Sequence, residues 1–218
     1  MPHPLKTTVE DFVQGLKGFE RDYITQERVR EFMDAHHLSA ETLKPYTHFR
    51  SDYYTRNLVY RDDLFEMMVI CWQPNQKTAV HTHNGQLGWM QMAQGEVAVH
   101  NYKYQTCDCP ERQNVVGLDC LGGAKHIELE RLHTNVCNDG TGIYQVDKLQ
   151  SIHQIENTDK SDKGVVSLHV YSLPFDSCIA FNMDAGTCCR KHLSYYSKYG
   201  KVEGEVEHRK DDELRVIG

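Results

Sequence analysis

From Tyr46 onward the chain is a dense succession of short apolar or alternating runs, and no other feature limits its possible folds as much. The runs cover residues 53–60, 64–72, 78–82, 87–93, 96–104, 126–132, 142–146, 151–155, 164–173 and 178–182, separated by Gly, Asn, Asp or Pro. Alternation with period two puts every second side chain on one face of a strand. Strands at this spacing, with no long helical pattern between them, predict a mainly β fold: an antiparallel double-sheet roll or barrel. Residues 7–44 follow the other period. Thr8 with Asp11 forms a capping signal before Phe12, Val13 and Leu16; Val29, Phe32 and Met33 recur at helical spacing; a short helix is expected from Ser39 to Leu43. The expected organisation is a helical extension over 1–45 packed outside a strand domain of 46–200, then a mobile, charge-rich tail over 201–218.

Composition bounds the function. At 218 residues and 39% apolar, the chain has room for one sizeable core. A formal charge of −7 with both signs interspersed gives no field that would draw nucleic acid or an anionic membrane surface. No apolar run approaches the length that spans a bilayer, so a cytoplasmic monomer is expected. The eight cysteines, in a chain this long, read as reduced thiols. Cys107-x-Cys109, Cys120 and Cys137 fall in or near an irregular excursion from Thr106 to Lys125, and Cys188-Cys189 is an adjacent pair. The Cys-x-Cys spacing, unlike Cys-x-x-Cys, favours free thiols over a zinc site.

The chemistry concentrates at His81-Thr82-His83, between the apolar run Phe65–Trp72 and the alternating run Glu96–Tyr102. In extended backbone, side chains two apart share a face, so these imidazoles converge. A bare His-x-His beside Asn84-Gly85 can equally face water. His153, in the alternating segment Ser151–Asn157, supplies a third imidazole and argues for metal. Three neutral imidazoles suit iron, zinc, copper or nickel and leave positions open for substrate and oxygen.

His81-x-His83, Gly95, Gly142 and His153-x-x-x-Asn157 together resemble the two motifs of the cupin superfamily. The glutamate usual in the first motif is replaced by Gly88, and Lys148 and Gln150 stand where the second usually has Pro and Gly. A site without that carboxylate is the trait of the thiol dioxygenase branch. Two further stretches resemble cysteine dioxygenases. In Tyr53–Val59, Arg56 by itself could be an edge-strand arginine reaching water, or a planar fork for a carboxylate. The resemblance gives Arg56 the substrate carboxylate and places Tyr54 beside it. In Ser167–Cys178, His169 and Tyr171 share a strand face and could be a buried hydrogen-bonded pair. The resemblance makes the Tyr171 hydroxyl point into the site, oriented by His169.

The resemblance covers about residues 45–200, ending in Tyr195–Gly200. Two departures stand out. Animal members carry, at the position of Gly88, a cysteine crosslinked to the tyrosine; bacterial members commonly have glycine, so the chain resembles the bacterial type. The family's cis Ser-Pro is Ser172-Leu173 here, where a cis bond costs about 3 kcal/mol. The resemblance implies one non-haem Fe(2+) held by His81, His83 and His153, with a small thiol and O2 as substrates and L-cysteine converted to cysteine sulfinic acid. The sister activity on 3-mercaptopropionate is the alternative, although that branch typically has glutamine at the position of Arg56. A non-catalytic or isomerase-type metal-binding cupin is the alternative of a different class.

Overall fold

The computed structural model describes residues 7–83, 85–108, 126–146 and 152–203. Helix α1 (Val9–Lys17) starts at a capping box in which the Thr8 hydroxyl accepts from the Asp11 amide at 3.1 Å. Thr25 and Ser39 cap α2 (Gln26–Ala35) and α3 (Ala40–Leu43), their hydroxyls accepting from the Arg28 and Thr42 amides.

Thirteen strands follow among the described residues: β1 Thr55–Arg61, β2 Glu66–Trp72, β3 Val80–His81, β4 Leu87–Gln94, β5 Glu96–Cys107, β6 Ile127–Asn138, β7 Tyr144–Val146, β8 His153–Asn157, β9 Val165–Ser172, β10 Ser177–Asn182, β11 Thr187–His192, β12 Ser197–Lys198 and β13 Lys201–Val202. They form a seven-stranded sheet, β13-β12-β1-β2-β9-β4-β7, and a six-stranded sheet, β11-β10-β3-β8-β5-β6. This is the double-sheet roll expected from the alternating runs. All pairings are antiparallel except β1 with β12. Ser197 donates to Asn57 Oδ1 at 2.8 Å and secures that parallel edge.

The seven-stranded sheet is covered on both faces, which is why β2 is buried throughout. Met67, Val69 and Cys71 turn outward, with Val166, Leu168 and Val170 of β9, onto Phe12, Leu16, Val29 and Met33 of the helices. Met68, Ile70 and Trp72 turn inward against Val97, Val99 and Ile155 of the other sheet. Trp89 Nε1 donates to the Gln26 carbonyl of α2 and Gln91 Nε2 to the carbonyl of Leu38, between α2 and α3, both at 2.8 Å, so β4 also binds the helical segment through polar contacts. Gly95 turns β4 into β5 at φ +77°; a Cβ there would stand 2.7 Å from Asp159 Oδ2 and Val165 Cγ2.

Lys201 and Val202, the first residues of the stretch expected as a mobile tail, pair with β12. Residues 204–218 lie outside the described residues, as do Asn84, Cys109, Cys120, Lys148 and Gln150. Among the described residues, Cys71, Cys107, Cys137, Cys178, Cys188 and Cys189 form no disulfide, and no helix is long and apolar enough to cross a membrane.

Candidate metal centre

Strand register assembles the histidines. His81 on β3 stands directly opposite His153 on β8, and His83 follows β3 on the same parity. The candidate ligand atoms of His81, His83 and His153 all lie within 4.8 Å of one another. The His153 ring stands at 89° to both of the others, with centroids 4.8 and 4.7 Å away.

Each ring is kept neutral. Burial pulls the His81 pKa down to about 4 and holds His83 and His153 well below the usual histidine range. His81 Nδ1 lies 2.9 Å from the Ala79 carbonyl, which can only accept; the proton therefore sits on Nδ1 and leaves the Nε2 lone pair. His153 Nε2 is buried and has no hydrogen-bond partner. A buried ring nitrogen without a hydrogen-bond partner is costly for the protein alone, and a cation satisfies it when that nitrogen carries the lone pair. Three neutral, converging nitrogens therefore fit a divalent transition metal.

A cavity of about 60 Å³ opens beside the rings, lined among others by Tyr54, Arg56, His81, His83, His169, Tyr171 and Cys178. Six of the seven residues singled out in the sequence thus line this cavity, and the seventh, His153, stands behind it against His81 and His83. Tyr54 is stacked on Trp72 at 4.8 Å, which fixes its ring against the cavity wall.

Arg56 reaches the cavity from β1 and is held from behind. Its Nη2 donates to Glu66 Oε1 at 3.4 Å, its Nη1 to the Ser194 carbonyl at 3.3 Å, and the Tyr195 ring lies 5.3 Å from the guanidinium. Glu66 is fully buried; it also accepts from the Tyr195 hydroxyl at 2.9 Å and stands 3.8 Å from Arg61. Burial raises the Glu66 carboxyl, while Arg56, the Tyr195 hydrogen bond and Arg61 draw it back down.

On β9 the alternation sends Ser167, His169 and Tyr171 inward, and a hydrogen-bonded row results. Trp72 Nε1–H donates to Ser167 Oγ at 3.0 Å; Ser167 Oγ lies 2.8 Å from His169 Nε2, and His169 Nδ1 lies 3.1 Å from the Tyr171 oxygen. Trp72 can only donate, and among the described residues the acceptor that the Ser167 hydroxyl meets is His169 Nε2. The His169 proton is thereby assigned to Nδ1, which donates to Tyr171 and leaves the phenol hydrogen to point into the cavity. Burial lowers His169 to about 3 and raises Tyr171 above the usual phenol range, so both stay neutral and keep these roles.

Gly88 of β4 stands opposite Tyr171 of β9; a Cβ there would lie 3.1 Å from both His83 Nδ1 and Tyr171 Cε1. The Ser172-Leu173 peptide is cis.

Sequence reasoning missed Ser167, Glu66 and Tyr195. Ser167 shares the parity of His169 and Tyr171, a signal that was present. Glu66 is a lone charge inside an apolar run, which marks a buried pair without naming its partner.

A family model described as cysteine dioxygenase type I matches residues 3–184. Cysteine dioxygenase type 1 of Danio rerio is 28% identical over 199 residues, 89% of each chain. That of Homo sapiens is 27% identical over 195 residues, 88% of each. Among solved structures, a cupin protein from Desulfovibrio desulfuricans aligns with a TM-score of 0.40 at 14% identity, covering 64% of this chain and 100% of that one.

Proposed function

Because the chain belongs to the cysteine dioxygenase type I family, we propose that it is a non-haem Fe(II) thiol dioxygenase that oxidises L-cysteine with O2 to cysteine sulfinic acid. The observation that carries this reading is a cluster of three neutral histidines, two of which line a cavity that also presents an arginine and a hydrogen-bonding tyrosine. His81, His83 and His153 would hold the iron. That ion supplies dioxygen activation and favours the thiolate over the thiol.

The chain's own groups do the rest. Arg56 donates to the substrate carboxylate, and its contact with Glu66 keeps the long side chain from swinging away. Tyr54, stacked on Trp72, closes the apolar side and excludes water. The Tyr171 hydroxyl, with His169 as donor behind it, offers its hydrogen to negative charge that develops on the substrate or on oxygen. A thiol that keeps both oxygen atoms ends at the sulfinate rung of the oxidation ladder.

The test is oxygen consumption with L-cysteine by protein loaded with Fe(II) and by protein stripped of metal, with the product identified by mass spectrometry. Iron-dependent uptake with cysteine sulfinic acid as product is expected. Faster turnover of 3-mercaptopropionate than of cysteine would assign the sister activity, and no uptake with any thiol would leave a metal-binding cupin of another kind.

A further inference from the structure

The cavity holds a cation that the reading above does not use. Lys191 of β11 lines it together with Arg56, yet no acidic residue is among those lining residues. Strand register explains the placement. Ala180 of β10 faces His81 on one side and Cys189 on the other, and two positions along the same face Cys178 stands opposite Lys191. Lys191 therefore approaches from the six-stranded sheet, whereas Arg56 approaches from the seven-stranded one.

Their surroundings differ. Arg56 already contacts the fully buried Glu66, and Arg61 beside it is paired with Asp176 at 2.7 Å. Lys191 is half-buried and makes no ion pair among the described residues. With Glu66 offsetting Arg56 and Asp176 offsetting Arg61, the positive charge left uncompensated at the cavity among the described residues is that of Lys191.

We propose that Lys191 is a specificity-determining residue: it and Arg56 hold the carboxylate of the thiol between them, so that the cavity selects thiols carrying an anionic group. This rests on the thiol dioxygenase reading and adds a recognition contact to it. A guanidinium from one sheet and an ammonium from the other can share one carboxylate, which has lone pairs enough for both. An amine-only thiol such as cysteamine meets Lys191 as a like charge.

The experiment compares the iron-loaded native protein with Lys191→Met and Lys191→Arg, using L-cysteine, 3-mercaptopropionate and cysteamine. Initial oxygen uptake gives KM and kcat, and anaerobic calorimetry gives Kd. Lys191→Met is expected to raise KM and Kd for both carboxylate thiols roughly three- to tenfold, the range for one partly solvated charged contact. The loss should fall on KM rather than kcat, the preference for cysteine over cysteamine should shrink by the same factor, and Lys191→Arg should restore most of it. Equal losses for all three thiols, or none, overturn the proposal. If the native protein consumes no oxygen with any thiol, the dioxygenase reading falls and the calorimetric comparison alone decides Lys191. A selective loss of 3-mercaptopropionate binding in Lys191→Met would then uphold the contact, and unchanged binding would remove it.

Discussion

Ser167→Ala separates the fold from the chemistry at one hydroxyl. The substitution removes the acceptor for Trp72 Nε1–H and the donor for His169 Nε2, two buried contacts of 3.0 and 2.8 Å. Each group left unpaired costs about 1–3 kcal/mol, and a water entering the vacated space recovers part, so a net loss of about 2–4 kcal/mol is expected. For a chain of this length that lowers Tm by about 5–15 °C. The second effect is directional. Without Ser167, His169 is free to carry its proton on Nε2 and accept from Tyr171 through Nδ1, which turns the phenol hydrogen away from the cavity. Turnover should fall about ten- to a hundredfold, less than or equal to the loss in Tyr171→Phe, which deletes the donor and should cost about ten- to a thousandfold. The assays are thermal unfolding by circular dichroism and initial oxygen uptake, with the double variant Ser167→Ala/Tyr171→Phe included. If the row acts as one unit, the double variant turns over no more slowly than Tyr171→Phe. A Ser167→Ala protein with lowered Tm and native kcat would refute the argument, because the hydroxyl would then support the structure without orienting Tyr171.

His81→Ala, His83→Ala or His153→Ala should abolish stoichiometric iron binding and leave the circular dichroism spectrum largely native; full iron content with full turnover would strike that residue from the ligand set. Protein purified without iron supplementation should carry zinc in the same site, because zinc outcompetes ferrous iron for nitrogen ligands, and replacement by Fe(II) should raise activity. Arg56→Ala should cost about 2–4 kcal/mol in kcat/KM for cysteine and little for cysteamine. It should also lower Tm, since the fully buried Glu66 loses a partner. Gly88→Ala should weaken metal binding and slow turnover, because the new methyl would press on both His83 and Tyr171 at 3.1 Å; unchanged metal affinity would show that β4 can yield there.

The fold was legible where alternation was strong. β2, β4, β5, β8 and β9 carry long apolar or alternating runs, and their count and spacing already limit the chain to a two-sheet roll. β11 escaped notice because Thr187-Cys188-Cys189-Arg190-Lys191-His192 is mostly polar, and it is paired on one side only, with β10. β12 and β13 are two residues each; β12 owes its place to β1, far away in sequence, and β13 pairs with β12. The site was legible to the same extent. His81, His83, His169 and Tyr171 sit at the two-residue spacing of a strand, so local sequence aligns them. Arg56 with Glu66, and Lys191 with the cavity, depend on which strands become neighbours, information carried by no single stretch.

β9 lies inside the seven-stranded sheet with β2 on one side and β4 on the other, so its amides are bonded across both edges. The residues that steer the phenol thus ride on backbone that exchanges its hydrogens only when the whole molecule opens, while one of the three imidazoles sits on β3, a strand of two residues, and a second just after it, ahead of a turn at Gly85. In deuterium exchange the two walls of the cavity should keep different time. Val166–Tyr171 should report global unfolding whether or not metal is bound, and the slowing on metal binding should be confined to β3 and the residues just after it.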